Sequence, residues 1–174
     1  MNIRRFIWTT RLLSDKKRLE WYPPLWMMRV KVLELSDDWR GIRIRLPQTW
    51  LSRNRGGSLF GGFQACLADP IAAMACVKLF PDRAVWTRGL SLDFQIEGNT
   101  DLELIFRFSA EQERKIRQEL NVKGRSTPTF EYGYYRTDGR LCTRIEATVA
   151  IRPKGYKKPV KPRGADGGTS RRAE

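Results

Sequence analysis

The second half of the chain alternates apolar and polar positions. In WTRGLSLDFQI, Leu90, Leu92, Phe94 and Ile96 share a face against Ser91, Asp93 and Gln95. LELIFRF repeats the pattern with Leu102, Leu104, Phe106 and Phe108. Side chains of a strand point alternately to its two faces, so both segments are predicted strands with one buried side. TFEYGYYR and LCTRIEATVAI flank TDGR, and Asp138-Gly139 between two alternating runs predicts a hairpin. Upstream, IRIRL sets Ile42, Ile44 and Leu46 against Arg43 and Arg45. MMRVKVLEL is β-rich but alternates poorly, as expected of a strand partly buried on both faces.

Three stretches follow the helical period instead. NIRRFIWTTRLLSDKKRLEW brings Ile3, Phe6, Ile7 and Leu13 near one face, and Pro23-Pro24 end it. Residues 58–80 are a long apolar helical segment. SAEQERKIRQEL is a surface helix opened by a capping box, with Ser109 capping and Gln112 reaching back; Ile116 and Leu120 place it on the rim. The order predicts an antiparallel α+β domain in which about six strands wrap one long central helix. Residues 1–24 form an N-terminal amphipathic helix, 25–153 the domain, and 154–174 a basic, Pro/Gly-rich disordered tail.

Composition narrows the chemistry. At 174 residues, 41% hydrophobic and 30% charged, the chain suits one globular domain with a full core. No apolar run approaches a membrane span unbroken, and no secretory signal is visible. Cys66, Cys76 and Cys142 are widely spaced and read as buried reduced thiols of a cytoplasmic protein. There is no histidine. That excludes Ser-His-Asp and Cys-His catalysis and histidine-containing zinc sites. Any catalysis rests on carboxylates, backbone amides, hydroxyls, Lys or Arg. The net charge of +14 gathers at the ends. It either keeps solvated termini soluble or attracts an anionic partner such as nucleic acid or an anionic membrane.

GGSLFGGFQACLADPIAAMACVKLF, residues 56–80, holds the sharpest question. Asp69 and Pro70 suit the cap and first position of a helix, because Asp is a favoured N-cap and Pro a favoured first residue. Asp69 also suits the role of a charged group in a reactive site. In that case the helix runs through, and Pro70 deprives the Cys66 carbonyl of its donor.

The stretches WYPPLWMMRVKVLELSDDWRGIRIRL, NRGGSLFGGFQACLADP, VWTRGLSLDFQIEG and PTFEYGYYRTDGRLCTRIEATVAIR resemble a bacterial hotdog-fold family of unknown function, often called thioesterase-like. The resemblance spans about Trp21 to Arg152. Its most telling piece joins Asn54, Gly57, Phe60, Gly61, Gly62, Asp69 and Pro70. GGFQACLAD also resembles the helix of phenylacetate-pathway acyl-CoA thioesterases, with Phe60 where those carry histidine. The resemblance implies a homodimer or homotetramer with sites between protomers. It implies thioester hydrolysis with Asp69 as base or nucleophile, Asn54 beside it, and Gly61 and Gly62 holding the oxyanion. Gly57 and Phe60 would contact substrate, and Arg53, Arg55 or Arg88 the phosphates of acyl-CoA. No metal or resident cofactor is expected. The alternatives are a non-catalytic acyl or acyl-CoA binding module, and a basic-ended module for nucleic acid or anionic membrane.

Overall fold

The computed structural model describes residues 13–156. The helical positions expected at Ile3, Phe6 and Ile7 and nearly all of the tail lie outside them. Two short helices, α1 (Asp15–Trp21) and α2 (Pro23–Met27), lead into β1 (Lys31–Leu35) and β2 (Gly41–Leu46). The long helix α3 (Gly61–Leu79) follows, then β3 (Arg83–Phe94), β4 (Leu102–Arg107), α4 (Ala110–Lys123), β5 (Thr129–Arg136) and β6 (Leu141–Pro153). The six strands form one antiparallel sheet in the order β1-β2-β4-β5-β6-β3. With the sheet packed on α3, this is the hotdog architecture.

The alternation places the core. Ile42, Ile44 and Leu46 of β2, with Leu102, Leu104 and Phe106 of β4, are fully buried. They share one core with Leu67, Ala68, Ile71, Ala72 and Ala75 of α3. Phe106, Phe108, Phe130 and Tyr132 pack ring on ring, with centroids 5.0–6.3 Å apart. At TDGR, Gly139 has φ of 80° and its N–H donates to the Arg136 carbonyl, closing the hairpin.

Four expectations change. Pro23 and Pro24 do more than end a helix: they occupy the first positions of α2, where a missing N–H costs nothing. Ser109 caps α4 by accepting from Gln112 N–H, but the Gln112 side chain donates to the Thr129 carbonyl and does not reach back. Cys66 is exposed, while Cys76 and Cys142 are buried. Finally, α3 alone among the described helices is long and apolar enough to cross a membrane by length and composition. Its inner face lies against the sheet.

The two outer strands are finished differently. β1 has five residues and is covered by α1. Val32 N–H donates to Glu20 Oε1 at 3.1 Å, and Lys16 Nζ to the Leu33 carbonyl at 3.4 Å. Burial raises the Glu20 carboxyl, but its Lys17 and Val32 hydrogen bonds outweigh this and hold it below the usual range. β3 has twelve residues, none of them buried. Leu90 and Leu92 are half-buried and Phe94 is 55% exposed, so the apolar face read from the sequence is only partly covered by the described residues.

Candidate active site

The loop before α3 is built around Asn54. Its N–H donates to the Ser58 carbonyl (2.7 Å), and its Oδ1 accepts from Ser58 N–H (3.1 Å). Gly57 turns the loop at φ +85°, a conformation that penalises a Cβ. Its carbonyl accepts from Gln48 Nε2 at 2.9 Å. Asn54 and Gly57 therefore hold the shape of the loop. Arg53 and Arg55 are exposed on it, with no ion pair among the described residues.

Phe60 is the N-cap of α3 and offers no side-chain acceptor. Its carbonyl accepts from Phe63 N–H (3.0 Å) and Gln64 N–H (3.3 Å). The Gly61 and Gly62 amides begin the helix and have no acceptor among the described residues. Free amides at a helix start combine with the positive dipole end to favour a developing anion. Two half-exposed rings flank them. A Cβ on Gly61 would lie 2.9 Å from Phe94 Cζ, and one on Gly62 would meet the Phe60 ring. Glycine at both positions lets the rings close over the backbone.

Beside Gly61 lies a cleft of about 450 Å³, lined by Asn54, Gln64, Phe94 and Glu97 among others. Glu97 is its only acidic lining residue. Gln64 is 2% exposed and ties the helix start to the sheet. Its Oε1 accepts from Thr143 Oγ1 (2.7 Å), and its Nε2 donates to the Leu59 carbonyl (3.3 Å).

Asp69 is the ninth residue of α3, so it is not an N-cap, and the helix runs through Pro70. Pro70 has no N–H for the Cys66 carbonyl. Around this turn the sheet holds the helix by its carbonyls. Tyr134 donates to Gln64 (2.6 Å), Tyr132 to Ala68 (2.7 Å), and Thr87 Oγ1 to Asp69 itself (2.8 Å). The Asp69 carboxylate is exposed and has no hydrogen-bond or ion-pair partner among the described residues. Burial and the Asp69 charge push the Cys66 thiol up, which keeps it protonated and a poor nucleophile. Burial alone pushes Cys76 up to about 12.

The predicted residues thus fall into two groups. Asn54, Gly61, Phe60 and Gly62 meet at the helix start, with Gly57, Arg53 and Arg55 on the loop beside it. Asp69 lies eight residues further, about 12 Å along the axis. Arg88 lies in the bulge of β3, right after Thr87, whose hydroxyl reaches the Asp69 carbonyl. One chain does not bring the carboxylate to the amides. No group of three or more His, Cys, Asp or Glu able to hold a metal exists among the described residues.

Sequence reasoning missed Gln64, Phe94 and Thr87 as parts of this region. Gln64 had a usable signal: it is the one polar residue on the helical face 64-67-68-71-75. Phe94 and Thr87 had none, because alternation names a face and not what covers it.

The family model for a domain of unknown function, DUF4442, matches residues 11–151. Solved structures share the fold. A Pseudomonas aeruginosa protein of unknown function, described as a probable thioesterase, is 19% identical with a TM-score of 0.67, over 79% of this chain and 93% of its own. A thioesterase from Haemophilus influenzae is 10% identical with a TM-score of 0.60, over 81% and 92%. A mutant thioesterase from Pseudomonas aeruginosa is 13% identical with a TM-score of 0.61, over 82% and 97%. A search of curated proteins finds no significant match.

Proposed function

Since this chain belongs to the DUF4442 family and carries the hotdog fold, we propose that it hydrolyses an acyl thioester of the acyl-CoA type. The observation that carries the reading is Asp69, an unpartnered carboxylate in the middle of the central helix, on the same helix as two free glycine amides. An aspartate inside a helix costs helix stability, and no partner among the described residues offsets it.

Asp69 takes a proton from water, whose oxygen adds to the thioester carbonyl; alternatively, Asp69 itself adds and the mixed anhydride is hydrolysed. The carbonyl oxygen gathers negative charge against the Gly61 and Gly62 N–H groups. The C–S bond breaks, and the thiolate leaves and is protonated. The 12 Å between the two halves supports a site shared by two protomers, with Asp69 of one chain serving the amides of the other. The β3 edge, left uncovered by the described residues, supports the same assembly, a homodimer or a pair of them. Arg53, Arg55 and Arg88 are uncommitted cations near the two halves and suit the phosphates of the thiol carrier.

The test is thiol release from a panel of acyl-CoA substrates. Asp69→Asn should lower kcat about 10²- to 10⁴-fold with the melting temperature unchanged or raised. Equal turnover by both proteins would refute the role of Asp69. Glu97→Gln is the necessary partner variant, because Glu97 lines the cleft within one chain. A loss there, with Asp69→Asn fully active, would assign the base to Glu97.

A second reading is a binding module without turnover. Phe60 favours it, since an apolar ring stands at the helix start where the resembling thioesterases carry histidine. Tight acyl-CoA binding with no thiol release would establish it.

A further inference from the structure

A second cavity lies on the other side of Asp69, and it is of a different kind. It is a groove of about 480 Å³ between α1–α2 and the second half of α3. Its wall on α3 begins at Pro70, the residue bonded to Asp69, and continues through Met74 and Val77. Leu25, Tyr22 and Trp39 form the opposite side. The charged groups on its rim are engaged with each other. Asp15 accepts from Trp39 Nε1 (3.0 Å) and pairs with Arg18 (2.9 Å) and Lys78 (3.3 Å). The groove thus offers apolar surface and no uncommitted charge, which suits a hydrocarbon and not a phosphate or a sugar. Its volume is in the usual range of about 300–1,000 Å³ for small-molecule sites.

We infer that this groove takes the hydrocarbon tail of the acyl group, and that the substrate is a medium-chain aliphatic thioester. The inference rests on the thioesterase reading in one respect: the carbonyl carbon is set at Asp69. From there the tail has a continuous apolar track along Pro70, Met74 and Val77. Pro70 to Val77 is seven residues, about 10 Å along the helix. An extended chain advances about 1.2 Å per bond. The track therefore accommodates about eight to ten carbons. The polarizable, unbranched side chain of Met74 lets the wall adapt to chains of slightly different length.

The experiment measures kcat/KM for straight-chain acyl-CoA substrates from acetyl to palmitoyl, and calorimetric binding of the same series. Wild type, Met74→Trp and Val77→Trp are compared, with Val122→Trp on the far surface of α4 as the control. In wild type, each added carbon that enters the groove should raise kcat/KM about fourfold, up to about eight to ten carbons. Met74→Trp should move the optimum to shorter chains, with about a 100-fold loss at the former optimum. Val77→Trp, at a half-exposed position, repeats the test should Met74→Trp fail to fold. Thiol release with the wild-type chain-length profile kept in both groove variants would overturn the groove and leave the thioesterase reading standing. Chain-length-dependent binding that the variants abolish, without thiol release in any protein, would keep the groove and overturn hydrolysis. No binding of any chain length would overturn both.

Discussion

The two edges of the sheet show opposite treatments of one problem. An edge strand exposes unpaired N–H and C=O groups and invites another strand. β1 meets this with shortness, a bulge at Val32–Glu34, and α1, whose Glu20 and Lys16 side chains take up a backbone N–H and a carbonyl. β3 has more than twice the length and no such cover among the described residues; it shows Trp86 and Phe94 to solvent and leaves Leu90 and Leu92 half-covered. The outward face of α3 beside it is bare too: Gly62, Cys66, Asp69 and Val77 are exposed on a helix that is apolar nearly all round. Such a helix belongs in an interior. Among the described residues, one edge is shielded atom by atom and the other is left open beside the candidate site.

The contrast can be broken most forcefully by charging the open edge. Leu92→Lys on β3 should dissociate the proposed assembly to the 20.3 kDa chain in light scattering and lower thiol release at least 100-fold. The same replacement at Leu33 on β1 should leave the size unchanged and cost about 1 kcal/mol in chemical denaturation. If wild type itself runs as a single chain, the open edge has no partner of its own kind. Next in size is the tie between β3 and the helix. Thr87→Val removes the hydroxyl from the Asp69 carbonyl and should cost about 1 kcal/mol. It should also raise amide exchange in β3 while leaving β1 unchanged. The smallest effect sharpens the guarded side. The folded carboxyl of Glu20 is depressed, so its contribution is whole above its unfolded value of about 4.3 and is lost as pH falls through the lower folded value. Below that pH, exchange of the Val32 amide, corrected for its intrinsic rate, should accelerate in β1 and not in β6.

Most of the fold was legible because its signals are local. The alternation in β2 and β4 matches their buried faces residue by residue, β6 follows it in its middle and buries Cys142, Ala150 and Arg152 as well, and Asp138-Gly139 marked its hairpin. What escaped depends on distant partners. Alternation put Leu90, Leu92 and Phe94 on one face, but the described residues cover Leu90 and Leu92 only in part and leave Phe94 exposed. Gln112 satisfied the capping-box pattern, yet the Thr129 carbonyl lay within its reach and won the side chain. Pro23-Pro24 are equally good as the end of one helix and the start of another. The site was half legible. Asn54, Gly57 and the glycine pair stood out by residue type, and they do gather at the helix start. The cap and reactive readings of Asp69 differ only in where α3 begins, and that was fixed by Gly61 and the sheet contacts, not by the residues next to Asp69. Gln64 went unnoticed because its role depends on Thr143, far along the chain.

Tyr132 and Tyr134 hold α3 by donating protons to two carbonyls one helical turn apart, and this gives the fold an alkaline ceiling. Burial pushes both phenols above their ordinary range, with the Asp69 charge adding at Tyr132 and the charge of Tyr132 at Tyr134. In the unfolded chain they ionise at about pH 10. Above that pH the unfolded state sheds protons that the folded state retains, so stability drains away as pH rises toward the folded values. The molecule should then release both phenolates together as it opens, so that tyrosinate absorbance and loss of structure rise as one transition. A pair of hydroxyls that anchors the helix at neutral pH thereby becomes the group through which strong base takes the whole domain apart.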